Sequence, residues 1–214
     1  MSFNLIIKQL KEQLKLELPG KNAQLSMSPL ERMKGVKLPI DEINAKKSAV
    51  LIQIFPKKGI PHFVFIKRTI DNGAHSGQIS FPGGKFEKQD KTLCKTATRE
   101  TNEEIGISEN DIEIIGSLTP LFVPVSNFMI YPYVGFLRYE PNFKKNKDEV
   151  KKIIEAGIAE ISNNKSKKEG IFKSKDILVK APFYSANGDS IWGATAMILS
   201  EFFEIYSRIN IHNS

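Results

Sequence analysis

Cysteine is almost missing from this chain of 214 residues, where Cys94 stands alone. That excludes an intramolecular disulfide and a CxxC metal cage, and it suits a reducing compartment. Long hydrophobic runs are missing too. No stretch reaches the roughly 18 apolar residues of a membrane span, and charges interrupt the apolar N-terminal stretch too often for a signal peptide. There is no internal repeat, no arginine-rich arm, no zinc finger and no RNA-binding motif. The formal charge of +7 and pI near 9.3 therefore imply no nucleic-acid partner. They describe a basic field that attracts small polyanions, with the Lys-rich runs at 144–152 and 165–168 read as solvated loops. The chain ends Ile211-His-Asn-Ser214, without a Ser-Lys-Leu peroxisomal signal. The expectation is a cytoplasmic protein with no membrane partner.

What is present describes an ordinary globular protein, 41% hydrophobic and 26% charged. The length suits one substantial α/β domain with extensions. Phe3, Ile6, Ile7, Leu10 and Leu14 recur at helical spacing opposite Lys8, Lys11, Glu12 and Lys15, which predicts an amphipathic helix ended by Pro19-Gly20. That helix is expected to pack on its own domain or on a second copy, and a homodimer is one assembly this allows. Residues 1–46 are read as this helix plus an irregular connector with one helical turn at 30–34, and residues 47–210 as the main domain.

The chain is organised around 75–107. His75-Ser-Gly-Gln-Ile-Ser-Phe-Pro-Gly-Gly84 leads through Glu87 and Asp90 into a helical run, Arg99-Glu100-Thr101-Asn102-Glu103-Glu104-Ile105-Gly106-Ile107. Glu100, Glu103 and Glu104 stand at i, i+3 and i+4, so all three carboxylates project from one helix face. Like charges so placed weaken a helix by about 0.2–0.5 kcal/mol per pair, and more where water is excluded. A divalent cation removes that cost. Gly106 supplies a left-handed stop, and Gly83-Gly84 let backbone approach a ligand closely.

These residues resemble the signature of the Nudix hydrolases. Gly84 matches its opening glycine, and Arg99, Glu100, Glu103, Glu104, Gly106 and Ile107 match its closing half. Asp90 stands where the signature has its first Glu, eight residues rather than seven separate it from Arg99, and Thr101 replaces an apolar residue. The longer box, the lead-in His75, Gly77, Gln78, Phe81, Pro82, Gly83, Gly84, Glu87 and Asp90, and the Trp192-Gly-Ala-Thr-Ala196 run resemble the coenzyme A pyrophosphatase branch.

The resemblance implies an α/β/α sandwich with a mixed sheet. It also implies Mg²⁺ or Mn²⁺ held by Glu100 and Glu104, with Glu103 as ligand or base and the Gly84 carbonyl as a further ligand. Arg99 would orient the glutamates. The general base stays open, and Glu149 and Glu160 outside the box are candidates. Basic residues at Lys67 and Arg68 would face the substrate with Gln78, Ser80 and Lys85. The implied reaction is hydrolysis of coenzyme A or a derivative to 3′,5′-ADP and 4′-phosphopantetheine. The alternatives are another nucleoside diphosphate derivative (NADH, ADP-ribose or a dinucleoside polyphosphate) or a catalytically weak nucleotide-binding sensor.

Along the rest of the chain, strands are expected over 48–55 and 63–68, joined by a turn from Pro56 to Pro61. Further strands are expected over 111–118 and 129–139 around a loop from Pro120 to Pro124. A short strand over 149–154, a short helix over 158–163, a strand over 177–184 and a terminal helix over 191–206 complete the reading. Phe122, Phe128, Tyr131 and Tyr133 are either core or the lining of an adenine or pantetheine pocket.

Overall fold

A computed structural model describes residues 1–29, 42–69, 77–174 and 177–209. The helical turn expected at 30–34 and His75 lie outside the described residues.

Strand β1 (Lys46–Lys57) forms the spine of the main sheet. Its odd positions Ala49, Leu51 and Phe55 enter one apolar cluster and its even positions Ile52 and Ile54 enter another. Burial of both faces explains the unbroken apolar run. β2 (Ile60–Arg68) divides likewise, with Val64 and Ile66 on one side and Phe63 and Phe65 on the other. The two strands meet through Lys58-Gly59, both at positive φ (51° and 79°), and Pro56 pairs opposite Pro61. The turn is therefore tighter than the prolines suggested, because a two-residue hairpin turn of this twist needs positive φ at both positions.

Around β1 and β2 lie β3 (Ile79–Ser80), β4 (Gly83–Lys85), β5 (Glu113–Ser117), β6 (Leu121–Val123), β7 (Phe128–Phe136) and β8 (Val150–Gly157). The order runs β3-β2-β1-β7-β5, with β4 on β1, β6 on β7 and β8 on β2. β1 and β7 are parallel and the other pairings are antiparallel, so the sheet is mixed. The segment expected as a loop between Pro120 and Pro124 contains β6, because its three residues are buried and pair with β7. A smaller sheet combines β9 (Lys167–Ser174), β10 (Ile177–Ala186) and β11 (Asp189–Trp192). Lys167 and Lys168 thus open a strand and are not loop residues.

Helix α1 (Phe3–Gln13) buries Phe3, Ile6, Ile7 and Leu10 in the same cluster as Phe136 and Phe202. Its apolar stripe is covered by its own chain. The next helix, α2 (Gly20–Leu25), begins where the connector was read as irregular. It docks through a buried carboxylate on the C-terminal helix. Glu201 accepts hydrogen bonds from Gly20 N, Gln24 Nε2, Thr119 N and Thr119 Oγ1. Six residues are too few for a stable isolated helix, so this one depends on tertiary contacts that no local pattern reveals.

Helix α3 (Leu93–Ile105) packs Ala97 and Ile105 on the β1 face that carries Ala49 and Leu51. Thr92 caps its start by accepting from Lys95 N at 3.1 Å, and Gly106 closes it at φ 74°. Thr101, fully buried, donates to Ala97 O at 2.7 Å, which lets a hydroxyl occupy an apolar position. After the short α4 (Ile158–Ile161), helix α5 (Gly193–Ser207) covers the opposite face with Met197, Ile198, Phe202 and Ile205. The layers are helix, mixed sheet, helix. Among the described residues, no helix is long and apolar enough to cross a membrane.

Candidate active site

The site forms where α3 meets β4. Glu100, Glu104 and Glu149 offer carboxylate oxygens that all lie within 4.8 Å of one another. Two come from one helix face, as the spacing predicts. The third comes from the residue before β8, which pairs with the end of β2: Thr69 N donates to Glu149 O at 3.0 Å. Glu103 is placed differently. Its carboxylate is half-exposed and accepts from Arg99 Nη1 at 2.8 Å, outside the three-carboxylate group. The 3.6-residue repeat aligns the three glutamates on a face but does not decide which converge.

Glu104 is 1% exposed. Its Oε2 accepts from Gly83 N at 2.9 Å, while its Oε1 has no hydrogen-bond partner. Arg68 Nη1 approaches that oxygen at 3.5 Å as an ion pair without hydrogen-bond alignment. Burial pushes the Glu104 carboxyl up to about 8, opposed by the Gly83 amide and Arg68 and reinforced by Glu100 and Glu149. Burial also raises Glu100, with Arg99 opposing. An all-oxygen donor set with an orphaned buried carboxylate oxygen fits a hard divalent cation such as Mg²⁺ or Mn²⁺. Gly84 fits the same arrangement. A Cβ there would stand 2.3 Å from the Glu100 carboxylate, so glycine lets that carboxylate lie against the strand without being displaced.

Arg99 organises the surroundings. It donates through Nε and Nη2 to both Asp90 oxygens at 2.7 and 3.2 Å, and through Nη2 to Glu100 Oε1 at 2.9 Å. Asp90 is buried and also accepts from Glu87 N and Thr96 Oγ1. The hydrogen bonds from Arg99 hold the Asp90 carboxyl down, to about 2. The shorter acid and the extra residue before Arg99 are accommodated because Asp90 ends a 3-10 turn, Lys88–Asp90, that brings its carboxylate under the guanidinium.

A cleft of about 290 Å³ adjoins the Gly83-Gly84 strand. Arg68, Gln78, Ser80, Gly84 and Lys85 line it together with Val50, Phe128, Ile130, Ala194, Thr195 and Ile198. Lys67 is not among its lining residues. Strand alternation turns Lys67 away from Arg68, and it binds Asp189 at 3.0 Å beside Lys152. Of the four aromatics, Phe128 lines the cleft, Phe122 is buried core, and Tyr131 and Tyr133 pack against the cluster under α3. Glu160 is exposed on α4 and outside the carboxylate group.

A mixed sheet lies between helices, and carboxylates converge where a helix meets a Gly-Gly strand beside the cleft. Residues 45–172 match the model of the NUDIX domain, and the chain belongs to the Nudix family. It is 30% identical over 158 residues to the uncharacterized Nudix hydrolase NudL of Photorhabdus laumondii subsp. laumondii, covering 74% of this chain and 83% of that protein. Nudix hydrolase 15, mitochondrial, of Arabidopsis thaliana is 32% identical over 166 residues, 74% of this chain and 58% of that one. The NudL of Pectobacterium atrosepticum is 35% identical over 115 residues, 54% and 59% respectively. The match therefore spans under two thirds of the length of these last two relatives. A MutT/nudix family protein from Enterococcus faecalis shares the fold at TM-score 0.54 and 18% identity, covering 86% of this chain and 70% of that one.

Proposed function

We propose that the protein is a divalent-cation-dependent hydrolase of the diphosphate bond in coenzyme A or its derivatives, yielding 3′,5′-ADP and 4′-phosphopantetheine or its acyl form. The observation that carries this reading is the adjacency of the Glu100, Glu104 and Glu149 carboxylates to the Gly83-Gly84 edge of a cleft lined by both basic and apolar residues. Its basic residues suit a hydrated diphosphate. Its apolar residues suit an uncharged arm or a base.

Glu100, Glu104 and Glu149 would hold Mg²⁺ or Mn²⁺, with the Gly84 carbonyl as a further oxygen. When bound, the cation supplies neutralisation of phosphate oxygens and a more acidic water for attack on phosphorus. Arg68 and Lys85 bind the diphosphate oxygens by charge-assisted hydrogen bonds, and Gln78 and Ser80 orient them. Arg99 positions Glu100 and Glu103 through the bonds above and does not face the cleft. Glu103, solvent-side on Arg99, is a positioning residue in this reading, and the water's proton passes to a carboxylate of the Glu100, Glu104 and Glu149 group.

The test is product analysis with Mg²⁺ or Mn²⁺ on CoA, NADH, ADP-ribose and a dinucleoside polyphosphate in parallel, with Glu104→Gln as control. Preferential release of 3′,5′-ADP from CoA supports the proposal. Preference for another substrate replaces CoA with that compound, and no cation-dependent turnover of any of them leaves a nucleotide-binding sensor.

A further inference from the structure

The cleft extends past the residues used above. Ser48 and Val50 line it from β1, and Lys85 pairs directly opposite Ser48. Alternation along β1 puts Lys46, two residues before Ser48, on this same face, where it pairs with Phe128. Phe128 lines the cleft, and Lys46, its strand partner, is exposed. Lys85 and the Phe128 ring thus line one end of the cleft, with Lys46 beside Phe128 on the neighbouring strand.

Two buried polar atoms in the adjoining turn between β6 and β7 have no hydrogen-bond partner among the described residues, Ser126 Oγ and Asn127 Oδ1. Ser126 lines the cleft. A buried polar group without a partner costs about 1–3 kcal/mol, which a ligand donor or acceptor would recover. Cations, an orphaned hydroxyl and a ring face together suit a planar base carrying its own phosphate.

We infer that this end of the cleft is a subsite for a nucleoside bearing a phosphomonoester separate from the diphosphate, with the base against Phe128 and the monoester at Lys46, while Lys85 stays with the diphosphate. This rests on the proposed reading for its link to turnover, since coenzyme A carries such a 3′-phosphate and NADH, ADP-ribose and dinucleoside polyphosphates do not. The subsite also discriminates within the CoA class, favouring CoA over its 3′-dephospho form.

The experiment reads binding without turnover, so it stands apart from the test of the reaction. Affinities of 3′,5′-ADP and 5′-AMP for the full chain are measured by calorimetry. The expected result is about tenfold or greater preference for 3′,5′-ADP, the worth of one charge-assisted hydrogen bond. That ratio falls towards one in Lys46→Ala and recovers in Lys46→Arg. Equal affinities in the wild-type chain, or an unchanged ratio in Lys46→Ala, overturn the subsite. Absence of CoA hydrolysis alongside an intact ratio overturns the proposed reaction and leaves the subsite standing.

Discussion

Arg99 forms a two-point ion pair with the buried Asp90, Nε to Oδ1 at 2.7 Å and Nη2 to Oδ2 at 3.2 Å, that anchors the guanidinium while Glu100 and Glu103 also accept from it. The pair converts a helix residue into a fixed strut for the site. Arg99→Lys lacks the fork and is expected to lower kcat more than it raises KM. A change confined to KM would place Arg99 on the substrate.

The same pair sets an acid limb. Because the Asp90 carboxyl is depressed from 3.8 to about 2 in the fold, its contribution is present above pH 3.8 and is lost as pH falls through about 2. That contribution is about 2 kcal/mol. Asp90→Asn should be less stable by this amount at neutral pH, and the gap should close on acidification. Urea unfolding from pH 7 to pH 2 checks it, and a pH-independent gap refutes the linkage.

Glu104 behaves in the opposite sense. Its folded pKa of about 8 lies above the ordinary 4.5, so the cation-free protein loses stability as pH rises between those values. Glu104→Gln should be more stable than the wild type at pH 8 without metal and equal to it near pH 4. Mg²⁺ should stabilise the wild type and not the variant. Turnover should fall about 100-fold or more, since even groups that only support a ligand cost 10–100-fold. Glu103→Gln should cost less than Glu104→Gln, and the reverse order would return Glu103 to the centre of the chemistry.

Gly84→Ala places a methyl 2.3 Å from the Glu100 carboxylate, the end of a flexible side chain. The fold is expected to survive and Glu100 to move. Metal affinity, read by titration, should drop more than about tenfold with Tm nearly unchanged.

Arg68→Ala should raise KM while Lys67→Ala leaves it unchanged. Lys67 instead holds Asp189, and its loss should change stability by about 1 kcal/mol or less because the pair is partly exposed. Equal KM effects would mean that both basic residues reach the substrate.

Much of the site was legible in the chain because its chemistry is local. A helix of 3.6 residues per turn places Glu100 and Glu104 together, and a glycine closes it. The unbroken apolar run over 48–55 likewise announced a strand, and β1 is there with both faces buried. These features need only the backbone's own periodicities.

Tertiary structure decided the rest. It alone joined Glu149, 45 positions beyond Glu104, to the carboxylate group and turned Lys67 towards Asp189. It also made α2 a helix through Glu201 and opened a cleft between β1, β4, β7 and α5. Each depends on which distant surfaces meet. Sequence spacing carries periodicity along an element, whereas convergence between elements is set by packing, and burial then assigns the charges their roles.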